Sequence, residues 1–262
     1  MNVKKKKNAS ASSSEAQPLM QHVLALRRVL LISVGAAAAG FLLSFYFLRG
    51  YIMDFISRPI EAKGITLIYT AVSEALVTQL KVSLVAGIVL ASPVIVWQIW
   101  SFIKPALYDH EQKTFRRWFF VALVLFLLGI VFCYLSVYPM AMNFFLVEGE
   151  GVATPMLSID KYVGFLMGFL LPFGLTFQLP VVIYLTTRVG LTTVEMLTSK
   201  RKYVILAVAV IAAILTPPDV VSQILLALPM LLLYEVGVLI ARVVKPGVGR
   251  ERAAAQEEKE DA

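Results

Sequence analysis

The segment of residues 97–118, WQIWSFIKPALYDHEQKTFRRW, holds the side chains best suited to chemistry. Asp109, His110 and Glu111 stand together there, after a proline and before a group of basic residues. Three tryptophans flank them: Trp97, Trp100 and Trp118. Tryptophan is typical of the boundary between hydrocarbon and water, because its ring is apolar and its N–H needs a partner. The segment therefore predicts a membrane-surface loop that presents carboxylates; the alternative is a solvated turn between two membrane helices.

The sequence lacks the motifs of common hydrolases and nucleotide-binding proteins. Residues 110–114 read HEQKT, which has no second histidine one turn on, so a zinc protease of the H-E-x-x-H type is excluded. His22 and His110 are too far apart in sequence to form a local metal site. Neither a G-x-S-x-G elbow nor a G-x-x-x-x-G-K-[ST] phosphate loop occurs. We therefore predict that the chain is not an enzyme and takes neither a metal nor a cofactor.

The composition indicates the environment that must position this loop. Of the 262 residues, 59% are hydrophobic and only 16% are charged, which is typical of a polytopic membrane protein. The formal net charge of +7 does not indicate a nucleic-acid partner, because the basic residues lie at the ends of apolar runs. The single cysteine, Cys133, lies inside such a run and cannot form an intrachain disulfide.

Six apolar runs predict an all-α membrane protein with six transmembrane helices. We expect a transmembrane domain over residues 18–246, between disordered tails at residues 1–17 and 247–262. A short interfacial helix is predicted for residues 19–28, and the third span is predicted to stop at Pro139. A loop is predicted for residues 49–70, because Pro59 and Gly64 are poor residues for a helix interior. The six spans are predicted at residues 29–48, 73–103, 119–138, 162–187, 203–215 and 222–240.

Prolines and small residues modify this pattern. Pro93 predicts a kink in the second span, and Pro172 and Pro180 predict a bend in the fourth. Ser158 and Asp160 are predicted to cap the start of the fourth span. The fifth run has only 13 residues, so a re-entrant segment competes with a span there. Small residues over residues 35–40 of the first span favour close packing against another helix.

The distribution of lysine and arginine predicts the orientation of the six spans. The segments on one side of the membrane, including both termini and residues 104–117, hold 19 of the 24 lysines and arginines. The other side holds four: Arg49, Arg58, Lys63 and Lys161. Because basic loops stay in the cytoplasm, both termini and the loop are predicted to be cytoplasmic. If the fifth run did not span the membrane, the number of spans would be odd and the basic C-terminal segment would lie outside.

Four polar residues at or near membrane depth need an explanation. Lys81 either snorkels from a projecting helix or has a role in the bundle. Gln178 either bonds carbonyls freed by Pro180 or takes part in function. Glu235 lies towards the cytoplasmic end of the last span, where headgroup exposure is the simpler interpretation, and Asp219 lies in the sharp turn before it.

Several motifs, in order and over nearly the whole chain, resemble the TatC family, the membrane receptor of the twin-arginine protein export system. They are HVLALR at 22–27, PVIVWQIW at 93–100, FIKPALY at 102–108 with the following His110 and Glu111, the 173–180 segment from Phe-Gly to Pro, and LTPPDVVSQ at 215–223. The resemblance implies a glove-shaped six-helix bundle that binds the twin-arginine signal peptide of folded cargo. It also implies single-span partners of the TatA and TatB kind, a homo-oligomer within a receptor complex, and transport driven by the proton gradient.

The resemblance also implies which residues act. The signal peptide would contact a set centred on the loop: Arg27, Phe102, Pro105, Leu107, Tyr108, His110 and Glu111. Helix association in lipid depends on packing and interhelical hydrogen bonds, which favours a partner-helix docking surface near the last two spans. That surface comprises Thr216, Asp219, Gln223, Leu225 and Leu226.

Two departures from the family leave alternatives open. Ala25 stands where the family has a glutamate that helps to contact the signal arginines, and Gln178 stands where it often has another. A divergent copy with altered or lost twin-arginine recognition is therefore an alternative. A secondary transporter for a small solute is a second one, suggested by the broken fourth span; it predicts internal repeats, and none are found.

Overall fold

The computed structural model describes residues 4–103, 112–148, 156–188, 190–216 and 219–243. Within these residues the chain is helical except for short turns and one pair of two-residue strands. The helices are α1 (Lys4–Leu43), α2 (Arg49–Glu61), α3 (Glu74–Ile103), α4 (Gln112–Phe132), α5 (Tyr138–Glu148), α6 (Ile159–Thr176), α7 (Leu179–Arg188), α8 (Val194–Ser199), α9 (Arg201–Leu215) and α10 (Val220–Val243). The strands are β1 (Leu67–Ile68) and β2 (Leu157–Ser158).

In this part of the chain, five helical segments are long and apolar enough to cross a membrane. They are Leu24–Glu61, Glu74–Phe102, Arg117–Val147, Ile159–Arg188 and Val220–Val243. The prediction of an all-α membrane bundle is thus confirmed. The predicted fifth span corresponds to α9, whose 15 residues extend about 22 Å, less than the roughly 30 Å of a bilayer core.

The first span is longer than the sequence predicts. The backbone of α1 is continuous from Lys4, across the tail boundary predicted near residue 18, and a π-helical turn at Ser44–Leu48 joins it to α2. The loop prediction for residues 49–70 is therefore wrong for its first part, which is α2. Pro59 lies in the last turn of α2 and cannot donate to the Phe55 carbonyl, but the Tyr134 hydroxyl donates to that oxygen at 2.9 Å. A tertiary hydrogen bond compensates for the proline.

The prediction that Pro139 ends the third span is also wrong. The helix continues through Pro139 into α5, because a five-residue π-helical turn, Cys133–Val137, ends two residues before the proline. At its end the Tyr138 N–H donates to the Cys133 carbonyl, five residues back. A π turn shifts the hydrogen-bonding register at the point where the proline lacks a donor, so the helix continues to Glu148.

Helices α1 and α3 run antiparallel and make the most extensive contact of the bundle. Gly40 and Gly87 mark the crossing, where a Cβ on Gly87 would lie 2.6 Å from the Cα of Phe41. Near one end of the pair, the Arg49 guanidinium donates to the Gln79 amide oxygen at 3.3 Å. The small residues predicted to permit close packing do so at Gly40, whereas a Cβ at Gly35 would meet nothing within 4 Å.

Helix α6 forms the centre of the core. It begins, as predicted, with a cap from Ser158, whose hydroxyl accepts from the Lys161 N–H at 3.4 Å. The predicted bend is confirmed as a break between α6 and α7, immediately before Pro180. The α6 side chains in the main core are fully or almost fully buried: Tyr162, Val163, Leu166, Phe169, Leu170 and Phe173. The Tyr162 hydroxyl also donates to the Ile56 carbonyl of α2 at 2.7 Å.

A carboxylate joins two loops at the end of the bundle where α3 begins. Strands β1 and β2 pair in parallel there, with Leu67 opposite Leu157. Glu74, in the first turn of α3, accepts from the Thr70 N–H and hydroxyl at 2.6 and 2.9 Å. Its other oxygen accepts from the Ser158 hydroxyl and from the Asp160 N–H. The sequence gives no signal for so short a strand pair, because two residues show no periodicity.

Candidate functional site

An aromatic cluster holds the two helix ends that flank residues 104–111. Trp118 of α4 stacks on Tyr184 of α7 with a ring-centroid distance of 3.7 Å, and Trp97 of α3 meets Phe119 edge-to-face at 5.1 Å. Trp100 is only 3% exposed within the same cluster. Because aromatic pairs are favourable beyond their buried area, both ends of the loop are held against α7. The cluster thus fixes where the loop starts and ends.

Most of the predicted signal-peptide residues belong to that loop. Pro105, Leu107, Tyr108, His110 and Glu111 lie outside the described residues. Phe102 is half-buried near the end of α3, and Arg27 is exposed on α1.

The crossing of α1 and α3 at Gly40 and Gly87 shows how Arg27 and the end of α3 are placed along the bundle axis. Counting about 13 residues back from Gly40 reaches Arg27, and counting the same number forward from Gly87 reaches Trp100. The antiparallel packing therefore brings Arg27 to the level of Trp100 in the aromatic cluster. Ala25 is exposed one turn or less from it.

A groove of about 280 Å³ leads from the aromatic cluster towards the middle of the bundle. Its walls come from α3, α4, α6 and α7, and most of its lining is aliphatic or aromatic. Trp100 closes it at the loop end, and Leu175 and Val182 are exposed along its edge. Ser92, which also lines it, is 3% exposed, and its hydroxyl has no partner among the described residues. The groove offers an apolar surface to a few side chains of a hydrophobic segment.

Gln178 lies in the break between α6 and α7 and lines this groove. Its side-chain amide donates to the Ala122 carbonyl of α4 at 2.9 Å. The sequence suggests that Gln178 bonds carbonyls freed by Pro180, and the structure instead shows a bond to a neighbouring helix. The residue therefore connects the broken fourth span to α4.

The two charged residues assigned to membrane depth are both paired. The Lys81 ammonium of α3 lies 2.5 Å from the Asp160 carboxylate of α6, which also accepts from the Thr78 hydroxyl at 3.4 Å. Glu235 of α10 pairs with Arg201 of α9 at 2.7 Å, and both side chains are about half exposed. Each pair ties two helices together, while the Lys81 and Glu235 side chains both stay partly exposed.

The residues predicted to dock a partner helix differ in how deeply they are buried. Leu226 is fully buried in the core, whereas Gln223 and Leu225 are half-buried. The Gln223 amide donates to the Ala209 carbonyl of α9 at 3.0 Å, and the Thr216 hydroxyl donates to the Ala212 carbonyl at 2.9 Å. Asp219 accepts from the Ser222 N–H at 2.6 Å and so caps α10. Of these three bonds, the one from Gln223 joins α10 to α9, whereas the Thr216 and Asp219 bonds close the end of α9 and the start of α10.

The sequence did not reveal the partners Asp160, Arg201 and Tyr134 as interhelical groups, nor the central role of Glu74. Ser158 and Asp160 were recognised only as residues that start a helix. The Glu74 contacts join residues 84 and 86 positions apart, and no local pattern contains such information.

These features define a polytopic helical membrane protein with an apolar groove lined at one end by Trp100 of the aromatic cluster. A family model described as "Sec-independent protein translocase protein (TatC)" matches residues 21–229. The chain belongs to the TatC family.

Relatives and solved structures agree with this assignment. The chain is 43% identical over 229 residues to the Sec-independent protein translocase protein TatC of Carboxydothermus hydrogenoformans, covering 87% of this chain and 94% of the relative. It is 38% identical over 247 residues to TatC of Escherichia coli K12, covering 92% and 94%. A crystal structure of the twin-arginine translocase receptor TatC superposes with a TM-score of 0.79 at 39% identity, covering 85% of this chain and 98% of that one.

Proposed function

We propose that this chain is the receptor for twin-arginine signal peptides in a Sec-independent translocase of the bacterial inner membrane. The observation that supports this proposal is the apolar groove, which Trp100 lines at one end. Trp100 belongs to the aromatic cluster that holds the helix ends on both sides of residues 104–111. The loop carboxylate, Glu111, receives the arginine pair, and the apolar part of the signal peptide lies in the groove. Arg27, Phe102, Pro105, Leu107, Tyr108 and His110 are the expected neighbours of the bound peptide.

Carboxylate chemistry supports this division of roles. A guanidinium is a planar fork of donors that a carboxylate accepts through two hydrogen bonds, and a lysine ammonium cannot reproduce that geometry. The second family carboxylate is absent, since Ala25 occupies its position. Glu111 therefore carries most of the discrimination between paired arginines and paired lysines.

Peptide binding to the purified full-length protein tests the proposal. We expect Glu111→Ala to abolish measurable binding of an RR signal peptide and Glu111→Asp to weaken it. A charge-assisted contact contributes roughly 1.5 to 3 kcal/mol, or about ten- to a hundredfold in affinity. Asp109→Asn, in the same loop, is the matched control and should change the affinity little. Retention of RR binding and of the preference for RR over KK by Glu111→Ala would overturn the site.

Restoring the family residue gives an independent test. Ala25→Glu should tighten RR binding with little change for a KK peptide, because only the fork geometry gains a second acceptor. Ala25 is exposed, so the added side chain does not disturb the core. An equal gain for both peptides would indicate a general charge effect and argue against bidentate recognition.

The proposed topology has six spans with both termini in the cytoplasm. It rests on the concentration of lysine and arginine in the terminal segments and in the loops after the second and fourth spans. For this topology α9 must cross a locally thinned bilayer despite its 15 residues. A thiol at Ser12→Cys should be protected from an impermeant reagent in right-side-out vesicles. The native Cys133 is fully buried and provides little background, and external labelling of position 12 would reject the topology.

The proposed partners are single-span subunits of the TatA and TatB kind, assembled with several copies of this chain. Their docking surface is the outer side of α9 and α10, around Gln223 and Leu225, where Ile214 and Ile224 are 76% and 53% exposed. Photo-crosslinkers at positions 224 and 225 should capture a small single-span protein, whereas one at the buried Leu226 should not. Equal capture from all three positions would show that α9 and α10 separate in the complex.

A further inference from the structure

A second groove, separate from the proposed signal-peptide site, opens between α2, α3, α4 and α6. Its volume is about 460 Å³, and apart from Tyr134 its lining is aliphatic or phenyl. The groove is open on one side, since Leu135 and Phe55 are 66% and 52% exposed. The Tyr134 hydroxyl is already bonded to the Phe55 carbonyl, so the wall offers an occupant only apolar contacts. In a bilayer such a surface has no preference for one apolar chain over another.

A cation beside the groove can select between lipids by the charge of their headgroups. Arg58 follows Phe55 by one turn of α2, is exposed, and lies within electrostatic range of the groove residue Tyr134. Among the described residues its guanidinium has no hydrogen-bond or ion-pair partner. Asp54 lies one turn earlier on α2, is exposed, and does not form an ion pair with Arg58. The guanidinium is thus available to a ligand.

A second arginine near the groove, Arg49, already has partners within the protein. Arg49 is adjacent to the groove residue Leu48 but is engaged within the protein. It donates to Gln79 at 3.3 Å and lies over the Phe45 ring at 4.8 Å. Of these two cations, Arg58 is the one able to meet an anion without breaking an internal contact.

We propose that this groove is a binding site for one anionic phospholipid, with an acyl chain against the apolar wall and the phosphate on Arg58. A guanidinium matches the geometry of a phosphate through paired hydrogen bonds, and a long arginine side chain reaches the headgroup level from a helix near the interface. A basic residue between membrane helices favours a headgroup of net negative charge over a zwitterionic one. The inference depends neither on signal-peptide binding nor on which leaflet the groove faces.

Native mass spectrometry of the full-length protein, exchanged into equimolar phosphatidylglycerol and phosphatidylcholine, tests the proposal. We expect wild-type adducts to be enriched in phosphatidylglycerol and Arg58→Gln to reduce this enrichment by roughly fivefold, the change that about 1 kcal/mol per arginine produces. Arg49→Gln is the matched control and should retain the enrichment. Asp54→Asn removes a nearby negative charge that repels an anionic headgroup, and it should increase the enrichment.

Occupancy of the groove itself is tested by Leu90→Trp, which places a large ring on the half-exposed edge of the groove. This variant should lower the adducts of both lipids. Unchanged enrichment in both Arg58→Gln and Asp54→Asn, or unchanged total adducts in Leu90→Trp, would overturn the proposal. A small protein captured in place of lipid would assign the groove to a partner helix and overturn it equally. If Arg58→Gln does not fold, the response of Asp54→Asn still decides.

Discussion

The crossing of α1 and α3 makes Gly87 the position where a single methyl group should do most damage. A Cβ there would lie 2.6 Å from the Cα of Phe41 and 2.8 Å from the carbonyl carbon of Gly40. Both are backbone atoms, so no side chain can rotate away. The helices would have to separate by roughly 1 Å to restore a contact near 3.5 Å, and a gap of that size forfeits up to half of the local dispersion energy. We expect Gly87→Ala to destabilise the protein by about 1 to 3 kcal/mol.

Gly35→Ala is the matched control. It changes the same residue type on α1, but its Cβ would meet nothing within 4 Å. Because alanine favours a helix over glycine by about 1 kcal/mol, this variant should be as stable as the wild type or slightly more stable. Loss of monodisperse protein on heating in detergent, followed by fluorescence-detected size exclusion, measures both variants side by side.

The result that would refute the reasoning is equal thermal stability of Gly87→Ala and Gly35→Ala. It would mean that the two helices are not in backbone contact at this point. A second consequence can be checked on the same samples. Because α1 carries Arg27 to the level of Trp100, separating the helices should also weaken signal-peptide binding, even though Gly87 lies far from the loop.

Three further substitutions address the polar contacts. Glu74→Gln replaces a carboxylate, which only accepts hydrogen bonds, by an amide whose NH₂ group would face other donors, so the melting temperature should fall. Glu61 is an exposed carboxylate on α2, and Glu61→Gln should leave the melting temperature unchanged. Asp160→Asn should cost about 1 kcal/mol, with a coupling to Lys81 that a double-mutant cycle detects and high salt reduces; no coupling would show that the pair is incidental. Glu235→Gln should cost about 0.5 kcal/mol, because both partners are about half exposed, and a larger loss would indicate a lipid-facing pair.

The features that the sequence predicted share a local cause. The cap at Ser158, the break before Pro180 and the turn closed by Asp219 depend on residues within three or four positions of one another. Long apolar runs likewise identify spans without knowledge of their neighbours. The aromatic cluster was anticipated as a group of interfacial tryptophans, although its partner Tyr184 lies far along the chain.

The errors have a common cause as well. Pro59 and Pro139 were both taken as signals that a helix is absent or ends, and in both places helix continues. At Pro59 the Tyr134 hydroxyl, from the π turn after α4, satisfies the freed carbonyl, and at Pro139 the same π turn changes the register before the proline. In a membrane bundle the cost of a proline depends on what neighbouring helices and local register offer, which a proline rule applied to one segment does not include.

Gln178 gives the groove a different chemistry from the one that a glutamate at the same position would give. Its amide donates to the Ala122 carbonyl, and an ionised carboxylate has no proton to donate, so a glutamate could make this bond only when protonated. The bond in this chain is therefore present at any pH, and none of the residues described along the groove is titratable. The described side chains of this groove therefore carry no charge, which suits the apolar part of the proposed signal peptide, and Gln178 holds α4 against the broken span.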